Sequence, residues 1–83
     1  MTRYIILCRS LTYAQRAQKL LEHRGFTAEL MRSPQKLNEN GCGYCLNVHK
    51  YGIEAAELLK KENLLSGKVY KMQENGEYAG VIL

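Results

Sequence analysis

The sequence of 83 residues has no tryptophan, a single proline and no long apolar run. Spanning a membrane takes ~20 consecutive apolar residues, and the N-terminus lacks the apolar core and cleavage site of a signal peptide. The net charge is +4, but the basic residues are scattered among acidic ones and form no stripe interleaved with aromatic residues. We therefore expect a cytoplasmic protein that binds neither a membrane nor nucleic acid.

Cysteine is scarce, and the three cysteines, Cys8, Cys42 and Cys45, are odd in number. Disulfide frameworks favour an even number, and the cytosol keeps thiols reduced. We therefore expect these thiols to be unoxidised, reactive or metal-bound rather than joined in structural disulfides. The hydrophobic fraction of 46% suits one folded domain over residues 1–83 with a single core.

Hydrophobic periodicity and turn residues predict five strands and two helices. The predicted strands cover residues 4–8, 27–31, 46–48, 68–72 and 78–83, and the predicted helices cover residues 12–23 and 51–63. Asn75 and Gly76 predict a type I′ turn, which makes residues 68–83 a C-terminal hairpin. The element order predicts an α+β fold, a ferredoxin-like βαββαβ two-layer sandwich with an added C-terminal β-hairpin strand.

The predicted topology brings the cysteines to one edge of the sheet. The third strand of a ferredoxin-like sheet lies between the first two and runs antiparallel to the first. The end of strand one, with Cys8, therefore lies beside the start of strand three, with the other two thiols. The first helix begins at the same edge, and the partial positive charge of a helix N-terminus lowers the pKa of a nearby thiol. Arg9, with Arg32 or Lys36, is expected to add anion-binding positive charge there.

Cys42 is the thiol that we predict to be reactive. Gly41 and Gly43 leave it little steric cover and let the backbone approach a ligand closely. Cys8 ends an apolar strand, so we expect it in the core, as a neighbour of the site. Cys45 begins a strand, and the residues alone leave its role open between core and site.

Cys42 and Cys45 form a Cys-x-x-Cys pair, a spacing used for thiol–disulfide exchange, for zinc binding or for neither. Zinc takes four ligands. His49 falls at the far end of strand three, and His23 falls at the opposite edge of the sheet. We therefore predict no metal site within one chain, while a site shared by two chains stays an alternative.

Several of these features occur together in a known protein family. They are an apolar first strand, an amphipathic helix, a loop with Pro34, and Cys42 and Gly43 leading into a strand. Over roughly residues 3–65 the chain resembles the DUF3343 family of selenium/sulfur carrier-like proteins. In that family an arginine commonly follows the loop proline, and here Gln35 stands in its place.

The resemblance implies that Cys42 is a carrier thiol, which holds a covalent persulfide or selenopersulfide and needs no other cofactor. The implied partners are a sulfur or selenium donor enzyme, such as a cysteine desulfurase, and an acceptor enzyme. Cys45 could resolve a persulfide by forming a disulfide and releasing sulfide. A carrier needs a partner surface rather than a deep pocket, and we expect a chain of this size to leave little room for a pocket.

Three alternatives to a carrier stay open. The first is a small thiol–disulfide redox protein that uses Cys42 and Cys45. The second is a module that shares zinc or an iron–sulfur cluster between two chains. The third is an interaction domain without chemistry of its own. A carrier or binding module is expected rather than an enzyme, and the exposed sheet edge with its hairpin makes a homodimer one candidate assembly.

Overall fold

A computed structural model describes residues 3–37 and 43–83. Within these residues the strands are β1 (Arg3–Cys8), β2 (Ala28–Arg32), β3 (Tyr44–Val48), β4 (Val69–Met72) and β5 (Tyr78–Val81). The helices are α1 (Leu11–His23) and α2 (Gly52–Lys61), and a 3₁₀ turn covers Gln35–Leu37. Every predicted strand and helix is present, with ends that differ from the prediction by at most two residues.

The five strands of the described residues form one sheet in the order β2-β3-β1-β4-β5, with all neighbours antiparallel. Together with the two helices, this sheet confirms the predicted α+β class. β3 lies between β1 and β2, and its pairing places Cys8 opposite Tyr44 and Leu7 opposite Cys45. The C-terminal end of β1 and the N-terminal end of β3 therefore meet at one end of the sheet, which we call the Cys8 end.

Helix α1 starts at the Cys8 end and packs on the sheet. Ser10 Oγ accepts a hydrogen bond from the N–H of Tyr13 over 3.2 Å, which satisfies one of the unpaired donors in the first turn. Gly25 follows the last turn with a φ of 88°, a conformation that glycine adopts without the penalty of a Cβ. The buried side chains of α1 are Ala14, Ala17 and Leu21, which follow one another at helical spacing.

Helix α2 packs beside α1 against the same face of the sheet. Gly52 lies directly against the Tyr4 ring, because a Cβ atom built on this glycine would overlap the ring. Tyr51 before the helix and Asn63 after it have left-handed φ values of 57° and 60°. The buried residues of α2 are Gly52, Ala55, Ala56 and Leu59. Within the described segments neither helix has the length and apolar character needed to cross a membrane.

Strand alternation divides the buried side chains between the two faces of the sheet. The helix-covered face holds the larger cluster, which includes Cys8, Ile6, Leu46 and Val48. The opposite face holds a smaller cluster of Ile5, Leu37 and Cys45. Since Leu37 belongs to the 3₁₀ turn, the segment that follows β2 helps to cover this second face.

The C-terminal hairpin is present, but its turn is not the predicted type I′ turn. That turn needs a positive φ at both central residues, whereas within residues 73–77 only Gly76 has one, at 84°. The N–H of Gly76 donates to the carbonyl of Gln73 over 3.0 Å, and the N–H of Gln73 donates to the carbonyl of Glu77 over 2.8 Å. This is the pattern of a three-residue hairpin loop closed by a left-handed glycine.

Candidate functional site

Gly43 is held at the Cys8 end by hydrogen bonding to the segment after β2. Its carbonyl accepts a hydrogen bond from the N–H of Ser33 over 2.8 Å, and the next residue, Tyr44, pairs with the last residues of β1 and β2. Ser33 Oγ is buried and has no hydrogen-bond partner within residues 3–37 and 43–83. Cys42, the predicted carrier thiol, lies outside the described residues and precedes Gly43 in the sequence. Because Gly43 directly follows Cys42, the side chains around Gly43 form the described part of the candidate site.

Arg32 brings a positive charge to Gly43. A Cβ atom built on Gly43 would lie 3.2 Å from Arg32 Nη1, so the absence of a side chain lets the guanidinium approach the backbone. The guanidinium carbon also lies 5.3 Å from the centroid of the Tyr44 ring, within cation–π distance. A guanidinium held in this way favours anionic groups nearby. The sequence alone indicates Arg32 only as one charge among several.

Arg9 and the start of α1 lie at the same end of the sheet. The backbone N–H of Arg9 donates to Ser66 Oγ over 3.1 Å, and its guanidinium carbon lies 5.2 Å from the centroid of the Tyr13 ring. The first turn of α1 contains no acidic residue, so no carboxylate from that turn offsets the partial positive charge of the helix N-terminus. Lys36 is exposed in the 3₁₀ turn. The anion-binding roles of Arg9 and Lys36 stay predictions.

Cys8 and Cys45 are both buried, with exposed fractions of 3% and 0%. The Cys8 thiol donates to the carbonyl of Ile6 over 3.6 Å, and the Cys45 thiol donates to the carbonyl of Arg32 over 3.8 Å. They belong to the clusters on opposite faces of the sheet. Because burial in apolar surroundings disfavours a thiolate, neither thiol is presented as an accessible nucleophile in this structure. Their roles as neighbour and resolving thiol stay predictions.

The two histidines lie away from the Cys8 end. His23 is the last residue of α1, which starts at that end, and His49 follows the last residue of β3. Across the part of the chain that the structure describes, no group of three or more His, Cys, Asp or Glu side chains could hold a metal ion.

A buried amide in β3 is a feature that hydrophobic periodicity does not predict. Asn47 is 2% exposed and lies opposite Ile5 of β1. Its Nδ2 lies 3.5 Å from His49 Nε2, while its Oδ1 has no hydrogen-bond partner among the described residues. The signal in the sequence is the amide itself, which stands between the two apolar strand residues Leu46 and Val48.

A groove of about 810 Å³ opens beside the hairpin. It lies between the C-terminal end of α2, the connection from α2 to β4, and the end of β5. The residues that line it include Lys60, Leu65, Lys68, Val69, Val81 and Leu83. This groove is open to solvent rather than enclosed, so the expectation that the chain has little room for a deep pocket stays a prediction.

One comparison with known proteins identifies the family. A family model described as "Putative Se/S carrier protein-like" matches residues 3–71. The chain belongs to this family. No curated protein and no solved structure matches the chain at a significant level. The Se/S carrier-like match begins with β1, ends within β4 and includes Arg9, Arg32 and the cysteines, whereas β5 lies beyond it.

Proposed function

We propose that this protein carries sulfur or selenium as a persulfide or selenopersulfide on the Cys42 thiol. Membership of the Se/S carrier-like family supports a carrier role. The observation that carries the proposal for this cysteine is the position of the Arg32 guanidinium, whose Nη1 would lie 3.2 Å from a Cβ built on Gly43, the residue that follows Cys42. A guanidinium there favours the thiolate, which is the species that attacks a persulfide.

The proposed transfer consists of two exchange steps. In the first, the Cys42 thiolate attacks the outer sulfur of a persulfide on a donor enzyme such as a cysteine desulfurase. A new S–S bond forms on Cys42, the S–S bond of the donor breaks, and the donor cysteine leaves as a thiolate. In the second step a nucleophile of the acceptor enzyme takes the outer sulfur, and Cys42 leaves as a thiolate. Since the leaving group is again an anion at Cys42, the positive charge of Arg32 supports both steps.

A thiol–disulfide redox function of Cys42 and Cys45 is the second candidate. The Cys-x-x-Cys spacing supports it, and in that chemistry the Cys45 thiol attacks the inner sulfur of a Cys42 persulfide, so that a disulfide forms and hydrosulfide leaves. Cys45 is fully buried in the cluster that contains Leu37. Such a step therefore requires Cys45 to become accessible, and we rank this function below the carrier.

Two structural proposals accompany the carrier. We propose that the strand order β2-β3-β1-β4-β5 is a ferredoxin-like βαββαβ sandwich extended by β5, which the antiparallel pairing of β1 with both β3 and β4 supports. A homodimer also stays a proposal, and sedimentation of the purified chain at several concentrations tests it.

The function is tested by alkylation and persulfide loading, both read cysteine by cysteine with mass spectrometry. We expect Cys42 to alkylate with an apparent pKa below the ~8.5 of an unperturbed thiol, and to gain one sulfur atom from inorganic polysulfide. The Cys42→Ser variant should keep its circular dichroism spectrum and lose the loading. Loading of that variant at the wild-type level, or an ordinary titration of Cys42, would contradict the proposal.

A further inference from the structure

Two arginines at the Cys8 end each lie over a tyrosine ring. The guanidinium carbon of Arg9 lies 5.2 Å from the centroid of the Tyr13 ring, and that of Arg32 lies 5.3 Å from the centroid of the Tyr44 ring. Such a contact engages the positive charge and leaves the N–H donors of the guanidinium available for hydrogen bonds. Both arginines are exposed, so a ligand can reach these donors.

No carboxylate of the described residues neutralises these two charges. Within residues 3–37 and 43–83, no glutamate forms an ion pair with Arg9 or Arg32. Most glutamates of these two segments lie toward the opposite end of the sheet, namely Glu22, Glu29, Glu54, Glu74 and Glu77. The positive charge at the Cys8 end is therefore left for an anionic partner to complement.

The two arginines lie close enough to act on one ligand. Arg32 is paired with Tyr44 across β2 and β3, and Tyr44 is paired with Cys8, the residue before Arg9. Tyr44 packs against the core cluster of the helix-covered face, and Tyr13 belongs to the first turn of α1 on that face. Two strand spacings, roughly 10 Å in all, separate the backbones of Arg32 and Cys8, so one short segment can contact both guanidiniums.

Both arginines are also restrained before a partner binds. The N–H of Arg9 donates to Ser66 Oγ over 3.1 Å, which ties Arg9 to the connection from α2 to β4. Arg32 is the last residue of β2, and its guanidinium lies beside Gly43. Because the rings and the backbone already hold these residues, binding orders fewer groups and costs less entropy.

A carboxylate suits this surface better than a second copy or a nucleic acid does. A planar guanidinium binds a carboxylate through two parallel N–H···O bonds. A second copy related by a two-fold axis would bring the same arginines together, and each copy has a net charge of +4. A nucleic acid would need open aromatic faces for its bases, whereas the guanidiniums lie over these two rings. Charge complementarity therefore favours an acidic segment of another protein.

We propose that Arg9 and Arg32 form a docking surface for an acidic segment of a partner protein, whose carboxylates bind the two guanidiniums. Resting on the proposed function, we assign the segment to the enzyme that loads or unloads Cys42. A segment bound to Arg32 lies beside Gly43, and thus next to the proposed carrier residue. Docking there raises the effective concentration of the partner's reactive sulfur at the thiol.

The test uses two labelled peptides, Glu-Gly-Glu-Glu-Gly-Glu and its uncharged counterpart Gln-Gly-Gln-Gln-Gly-Gln, followed by fluorescence anisotropy. We expect only the acidic peptide to bind, and its affinity to fall as salt rises. The double variant Arg9→Gln/Arg32→Gln should weaken binding about tenfold. The matched control, Arg3→Gln/Arg24→Gln, removes the same charge from exposed residues at the opposite end of the sheet. It should bind almost as the wild type does.

Amide chemical shifts of the ¹⁵N-labelled protein locate the peptide, and those around Arg9, Tyr13, Arg32 and Tyr44 should change. Absence of binding at millimolar peptide, equal weakening by both double variants, or shifts confined to other surfaces would overturn the docking surface. Tighter binding of a uridine octanucleotide at the same residues would also overturn it, because the surface would then belong to a nucleic acid.

Docking and sulfur loading are separate results. The Cys42→Ser variant should still bind the acidic peptide, because it keeps both arginines. Loading of the wild type from inorganic polysulfide requires no docked protein. Loss of peptide binding with loading retained would therefore overturn the docking surface alone, and loss of loading with binding retained would overturn the carrier role alone.

Discussion

Cys8 and Cys45 lie on neighbouring strands, one residue apart in register, and face opposite sides of the sheet. Cys45 is paired with Leu7, the residue before Cys8, and alternation along the strands sends the two thiols into different core clusters. Closeness in the sheet therefore does not make them a reactive pair. The backbone of the sheet lies between the two thiols and keeps them from reacting with each other.

From this arrangement we expect no disulfide between Cys8 and Cys45 in the native protein. A mild oxidant followed by peptide mapping should show none, and iodoacetamide should label both slowly until denaturant is added. Labelling in urea gives the matched control, because both thiols then become accessible. Rapid labelling of either thiol in the native state would show that its burial is transient.

Replacing Arg32 with Gln should lower the reactivity of Cys42. Loss of the positive charge beside Gly43 raises the apparent pKa of the proposed carrier thiol, and a rise of about half a unit reduces the thiolate fraction at neutral pH roughly threefold. The alkylation rate against pH measures this. Arg24→Gln removes the same charge from the far end of α1 and should leave the profile unchanged. A profile that is identical in both variants would remove Arg32 from the site.

Replacing Ser10 with Ala should destabilise the protein by about 1 kcal/mol, because the N–H of Tyr13 loses its acceptor. Urea unfolding followed by circular dichroism measures the change. Thr12→Ala is the matched control, since Thr12 is exposed on the first turn of α1 and is not the N-cap. Equal stability of the two variants would show that the cap contributes little.

Replacing Gly67 with Ala should cost about 2 kcal/mol or more, because the new Cβ would overlap the backbone carbonyl of Leu7. Gly80→Ala offers a control in β5, where a Cβ meets no atom within 4 Å, and it should be neutral or slightly stabilising. The difference between the two variants in thermal unfolding gives the result. A Gly67 variant as stable as the control would show that the connection can shift away from β1.

The elements could be predicted because their signals are local. Hydrophobic periodicity and turn residues each mark one element within a few neighbouring residues. The hairpin turn was predicted in place but not in type, because Asn75 with Gly76 is compatible with more than one loop. The choice between them depends on how β4 and β5 pair, which is not local.

The site could be predicted less completely than the fold. The stacking of Arg32 on Tyr44 follows from their pairing across β2 and β3, so it requires the register as well as the strands. Cys45 is buried in one cluster with Leu37, which reaches the second face from the 3₁₀ turn after β2. The groove depends on how much of the sheet the two helices cover, and no short sequence pattern predicts that covered area.

The central place of β1 has a consequence for synthesis on the ribosome. Its partner β3 begins roughly 40 residues later in the chain, and β4 later still. At ~5–20 residues per second, the apolar strand emerges roughly 2–8 s before a partner strand exists. During that interval β1 has no partner strand, so its apolar side chains and backbone hydrogen-bonding groups are exposed. Chaperones that bind nascent chains therefore have more exposed strand to protect at this stage than after the sheet has formed.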